Sequence, residues 1–124
     1  MDKKNRPTSP HLTIYKPQIT SLLSISHRIT GIIQSFAILI IFVLILLTFS
    51  GKETSMTIDL LMQSNLGKLF LILYTFSLLY HSLNGLRHLI WDLGFGFDLK
   101  NVVYSGYTIM FLSISLNAVL WIFF

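Results

Sequence analysis

Two histidines, an arginine and an aspartate share the stretch His81-Ser-Leu-Asn-Gly-Leu-Arg-His-Leu-Ile-Trp-Asp92. It closes a long apolar segment running from about Leu66 to Ile90. About 20 apolar residues cross the roughly 30 Å of bilayer hydrocarbon, so this segment is long enough to span. His81 stands about 11 residues before Asp92, which at about 1.5 Å rise per residue is roughly 16 Å, near mid-membrane. An ionisable side chain at that depth is costly and marks a functional site by default.

At about 100° per residue, Ser77, His81, Gly85, His88 and Asp92 fall along one helix face. A histidine offers a ring nitrogen to a metal. A glycine one turn on removes the side chain that would hold a flat ligand off the backbone. His88 and the neighbouring Arg87 then bring polar groups near the membrane surface. A haem has the same polarity: an apolar macrocycle, an iron that takes an axial imidazole, and two carboxylates that take cations. The same residues also suit a plainer arrangement, with His81 hydrogen-bonded to a neighbouring helix and Gly85 as a packing notch.

A second candidate set lies in Ser21-Leu-Leu-Ser-Ile-Ser-His-Arg-Ile-Thr-Gly31, which leads into the first apolar span. Ser24 and Arg28 are four residues apart and share a face at the membrane mouth, with His27 beside them. Serine can donate a hydrogen bond, and arginine carries fixed charge and several donors. Taken alone, this pair fits a serine cap and a snorkelling arginine that sets topology better than it fits a ligand site. Gly31 and Ser35 form a small-xxx-small pair suited to close helix contact.

Composition sets the class. Of 124 residues, 53% are hydrophobic and only 11% charged, with mean hydropathy +0.71. A soluble domain of this size could not hide so much apolar surface. The net charge of +4 is small and dispersed, which argues for interface anchoring over nucleic-acid binding. Cysteine is absent, which excludes disulfides and iron–sulfur clusters on thiolate ligands. No Gly-rich dinucleotide fingerprint and no nucleophilic triad is present. Electrons handled here would need haem, flavin, quinone or a partner.

The expected fold is all-α and integral to the membrane: a single anchor domain over residues 1–124 with three transmembrane helices in a small bundle. The helices are expected at about 22–50, 66–92 and 102–124, after a polar arm over residues 1–21. That arm carries Pro7, Pro10 and Pro17 and no apolar run after its lysines, so it reads as an extended segment and not a cleaved signal peptide. Leu12, Ile14 and Tyr15, interleaved with polar residues, suggest that it lies against a peripheral partner. Ser50 to about Asn65 reads as a polar loop, and Leu93–Asn101 as a short one. Tyr104 and Tyr107 at one end of the last helix and Trp121 at the other resemble aromatic belts, and Ser113 and Asn117 are expected to bond a neighbouring helix.

Three spans put the N-terminal arm and the second polar connection on one side. That side holds Lys3, Lys4, Arg6, Lys16, Arg28, Arg87 and Lys100, against Lys52 and Lys68 on the other. The excess places the N-terminus in the cytoplasm, or in a mitochondrial matrix. It also brings the Ser24, His27 and Arg28 end of the first span beside the Arg87, His88 and Asp92 end of the second. Such a convergence fits electron transfer, with a haem on His81 and a quinone head group by Ser24 and Arg28. Quinone reduction needs donors to oxygens that gain negative charge, at a site a lipid-soluble tail can reach. His27 and His88 read as near-surface residues, so a second axial histidine is expected from another chain. A His27–His88 pair is the competing arrangement within the chain. A different class also fits: a haemless structural membrane protein whose polar cluster holds helices together. A channel or transporter is weaker, because three helices without broken segments or repeats offer little pathway.

Two stretches resemble the signatures of a known family, the cytochrome b membrane-anchor subunits of succinate dehydrogenase (respiratory complex II). One is Arg6-Pro7-Thr8, Leu12, then Ser24-Ile-Ser-His27-Arg28-Ile-Thr30-Gly31; the other is His81-Ser-Leu-Asn-Gly85-Leu-Arg87-His88-Leu-Ile-Trp91-Asp92-Leu-Gly94. The resemblance covers essentially the whole chain. It implies haem b shared with a second, small anchor subunit, with His81 as the axial ligand to iron. It implies that Ser24 and Arg28 line a ubiquinone site, that His27 and Arg28 lie near the haem propionates, and that His88 is a propionate-side residue. It implies an iron–sulfur subunit and a flavoprotein subunit as partners, with no nucleic acid, in a bacterial inner membrane or a mitochondrial one. The chain would then be a subunit of a succinate:quinone oxidoreductase, inert towards succinate alone. A related fumarate reductase anchor is the alternative. Ser26 departs from the family pattern, where an apolar residue is commoner.

Overall fold

The computed structural model describes residues 18–123. The expectations for the polar arm up to Pro17, including its docking, lie outside the described residues. Four α-helices follow in order: α1 (Ile19–Thr48), α2 (Lys52–Gln63), α3 (Asn65–Asp92) and α4 (Leu99–Phe123). No strand occurs among the described residues. α1, α3 and α4 are each long and apolar enough to cross a membrane, with 30, 28 and 25 residues. The expected all-α architecture with three spans is what the chain adopts.

The packing is that of a protein solvated by lipid. Among the described residues the buried apolar side chains number four: Leu23, Ala37, Tyr80 and Ile109. Six buried residues are polar or charged: Thr30, Ser77, Asn84, Arg87, Ser113 and Asn117. Outward-facing positions are mostly large aliphatics and phenylalanines, such as Ile32, Phe36, Leu39, Phe42, Leu73 and Phe111. In water this distribution would be unstable. In hydrocarbon it is expected, because exposed apolar surface costs nothing there and polar groups must find partners inside.

Those partners tie the helices. Tyr80 donates its hydroxyl to the Leu23 carbonyl across α3 and α1 (3.1 Å), and Gln34 donates to Ser77 (3.1 Å). Between α3 and α4, Thr75 donates to Asn117 Oδ1 (2.7 Å), Trp121 Nε1 donates to Thr75 Oγ1 (2.9 Å), and Asn117 Nδ2 reaches the Ile72 carbonyl (3.4 Å). Asn117 thus bonds across helices as expected. Ser113 does not: its hydroxyl turns back to the Ile109 carbonyl of its own helix. Gly106 lets α4 approach α1, since a Cβ there would run into Leu23 Cδ1.

The span from Ser50 to Asn65, expected as a loop, contains the helix α2. Its low apolar content conceals a 3.6-residue period: Ser55, Ile58 and Met62 are half-buried towards the spans, while Met56, Asp59 and Leu60 are exposed. Gly51 separates it from α1 at φ 139°, a conformation that side chains disfavour. At its other end the Ser64 hydroxyl accepts from the Gly67 amide and starts α3 one residue later.

Candidate functional site

α1 starts at Ile19, so His27 lies about two turns inside it, roughly 12 Å from its first residue. α1 and α3 are antiparallel neighbours joined through α2, and this brings the His27 ring beside Gly85, between His81 and His88 of α3. The His27 and His81 imidazoles stack with centroids 4.1 Å apart and planes 4° from parallel. His27 thus lies on the His88 side of His81, one step nearer the C-terminal end of α3, and in direct ring contact with His81. His88 follows on the other side of His27, with centroids 5.3 Å apart, and Trp91 meets His88 edge-on at 5.1 Å. Three of the expected site residues, His27, His81 and His88, form one continuous row of rings.

Two glycines make room for the row. A Cβ on Gly31 would lie 3.0 Å from His81 Cε1, so Gly31 seats the His81 ring against α1. Gly85 faces the His27 ring, with His27 Cε1 3.8 Å from where its Cβ would be. The space at Gly85 thus receives a flat ring from α1. Ser35, the other small residue of the Gly31 pair, is exposed and bonds only the Gly31 carbonyl.

The hydrogen bonds of His81 decide its chemistry. Nδ1 lies 3.1 Å from the His27 carbonyl oxygen and 3.2 Å from Thr30 Oγ1. A carbonyl only accepts, so the proton belongs on Nδ1. A neutral imidazole has a single N–H, which leaves a lone pair on Nε2. Nε2 has no hydrogen-bond partner among the described residues and is not among the buried unpartnered nitrogens. This is the usual arrangement of a metal-ligating histidine, whose remote nitrogen donates to a carbonyl. His27 Nδ1 is buried without a partner beside it.

Ser24 and Arg28 keep their place on α1, one half-buried and one exposed, and neither side chain is engaged in a hydrogen bond among the described residues. Arg87 does not join them. It is buried on a different face of α3, where Nε donates to Ser105 Oγ (2.9 Å) and a terminal nitrogen to the Val102 carbonyl (2.7 Å) of α4. Its guanidinium also lies 4.1 Å from the Trp91 ring centroid. Arg87 therefore binds α3 to α4 and is not a surface cation beside His88. Asn84, fully buried, contacts the same guanidinium (Nη1 to Oδ1, 3.4 Å). The signal was available: Ser77, Tyr80, Asn84 and Arg87 repeat at helical spacing and form a second polar stripe on α3.

The protein-family comparison matches residues 2–120 to the succinate dehydrogenase/fumarate reductase transmembrane subunit. This chain belongs to that family. A succinate dehydrogenase cytochrome b556 subunit of Rickettsia bellii is 45% identical over 117 residues, covering 94% of this chain and 91% of the relative. Succinate dehydrogenase cytochrome b560 subunits of Reclinomonas americana and Marchantia polymorpha are 42% and 43% identical, covering 97% and 88% of this chain and 87% and 83% of their own lengths. The resemblance read from two motifs thus holds along nearly the whole chain, and the family is one of membrane subunits of an enzyme complex.

Proposed function

We propose that this chain is the cytochrome b anchor of a succinate dehydrogenase, holding haem b through His81 and contributing Ser24 and Arg28 to a ubiquinone-reduction site. The observation that carries the reading is the state of His81: its Nδ1 is committed to the His27 carbonyl, which leaves the Nε2 lone pair free to ligate. The residues fit the group, since a ligand nitrogen and a buried unpartnered imidazole nitrogen on His27 lie side by side in a membrane-spanning bundle. Bound there, a haem supplies one-electron transfer chemistry. A further histidine ligand would come from a small partner anchor subunit, because His27 turns its ring face, and not a nitrogen, towards His81. His27, Arg28 and His88 supply the polar and cationic groups for the haem carboxylates.

Electrons reach this subunit from an iron–sulfur subunit, which receives them from a flavoprotein that oxidises succinate. At the quinone, Ser24 donates a hydrogen bond to one carbonyl oxygen, and the fixed charge of Arg28 stabilises the negative charge that develops there. The charge excess on the N-terminal side puts that end in the cytoplasm or matrix. The Rickettsia relatives support a bacterial inner membrane, with a mitochondrial inner membrane as the alternative. The test is Arg28→Leu in the assembled complex: quinone reduction falls at least tenfold while succinate oxidation by an artificial acceptor is retained. Equal loss of both activities would contradict the quinone role.

A further inference from the structure

We propose that Thr30 is a positioning residue for His81: its hydroxyl oxygen, together with the His27 carbonyl, holds the imidazole with Nδ1 protonated and Nε2 presented as the ligand nitrogen. This rests on the reading of His81 as a haem ligand and adds the residue that sets its tautomer and angle.

Thr30 is buried, and its Oγ1 lies 2.9 Å from both the Ser26 and the His27 carbonyl oxygens of α1. A hydroxyl has one hydrogen, and these two carbonyls take it. The side of Oγ1 turned towards α3 therefore carries lone pairs, and His81 Nδ1 sits there at 3.2 Å. Two acceptors, Thr30 Oγ1 and the His27 carbonyl, meet one ring nitrogen, so the N–H is fixed in place and the ring cannot rotate without losing both. Threonine is branched at Cβ and stiff about χ1, so the oxygen is held where the ring needs it. Gly31 follows and opens the gap the ring occupies. His27, Thr30 and Gly31, spaced i, i+3 and i+4 on α1, form one seat of two oxygens and a space.

Acceptors on the remote nitrogen make an imidazole a stronger donor to a metal, and they favour the more highly charged metal state. Removing one of the two acceptors weakens that preference and moves the haem midpoint potential upwards. Second-layer partners of this kind typically change metal affinity 10–100-fold. A tenfold change in the ferric-to-ferrous preference corresponds to about 59 mV for one electron.

The experiment compares Thr30→Val, which replaces the hydroxyl by a methyl of similar size, with Thr30→Ser, which restores it. Both are purified as the full complex, with subunit stoichiometry checked, and read by haem content, redox titration and the paramagnetic resonance of the ferric haem. The expected result is a raised potential and altered axial signature, or lowered haem content, in Thr30→Val, with both restored in Thr30→Ser. Unchanged potential and signature in Thr30→Val overturns the proposal. So does equal loss of haem or of assembly in both variants, which assigns Thr30 to packing. His81→Ala, run alongside, separates the two levels: haem retained there removes the ligand reading itself, whatever Thr30 does.

Discussion

The imidazoles of His27 and His81 lie face to face, 4.1 Å apart and within 4° of parallel, on two antiparallel helices. The stack covers one face of the His81 ring and leaves the Nε2 edge open, where that nitrogen would hold a haem iron. His27 thereby acts on His81 twice, through its ring and through its backbone carbonyl.

Replacing the His27 side chain removes the first contact and keeps the second. His27→Ala is expected to weaken haem retention about tenfold without abolishing it, in the range usual for partners behind a metal ligand. Haem content after detergent extraction, measured against wild type, reads this directly. Complete loss in His27→Ala with retention in His81→Ala would exchange the roles of the two residues.

The approach of α4 to α1 at Gly106 sets a second expectation. Gly106→Ala places a Cβ against Leu23 Cδ1 in the small buried cluster of Leu23, Tyr80 and Ile109. Overpacking of this kind costs about 1–3 kcal/mol. Thermal denaturation of the complex in detergent should show a lowered midpoint for Gly106→Ala, partly restored when Leu23→Ala is added. A double variant no better than the single one would show that the two side chains do not share that space.

Arg87 gives a third. Its bonds to Ser105 and to the Val102 carbonyl need two nitrogens of a planar fork, and its stacking on Trp91 needs a flat cation. Lysine, a point charge with a single nitrogen, cannot reach Ser105, the Val102 carbonyl and the Trp91 face together. Interhelical hydrogen bonds in membranes average about 0.6 kcal/mol each, and the cation–π contact adds about 0.5–1 kcal/mol. Arg87→Lys should therefore destabilise α3 against α4 by roughly 1–2 kcal/mol while leaving the haem spectrum unchanged. A spectrum altered at full stability would place Arg87 at the haem after all.

Much of this was legible in the sequence, and the failures have physical causes. Three apolar runs gave the three spans, because hydrocarbon thickness fixes their length. The chemistry of His81 was legible as a buried ionisable group. Its tautomer was not, since that depends on Thr30 and the His27 carbonyl, contributed by another helix about fifty residues away. The direct stacking of His27 on His81 was not legible, because it depends on the register of α1 against α3, which neither helix's own sequence states. α2 was hidden by low apolar content, although Ser55, Ile58 and Met62 keep helical spacing. Arg87 was grouped with its neighbour His88 by position in the chain, whereas adjacent residues on a helix point about 100° apart.

The most direct measurement is a reduced-minus-oxidised absorption spectrum of the chain purified with its membrane partners, for wild type and His81→Ala. The account predicts a b-type band in the wild type and its loss in the variant, with the partner subunits still present. A band of undiminished size in His81→Ala would contradict it.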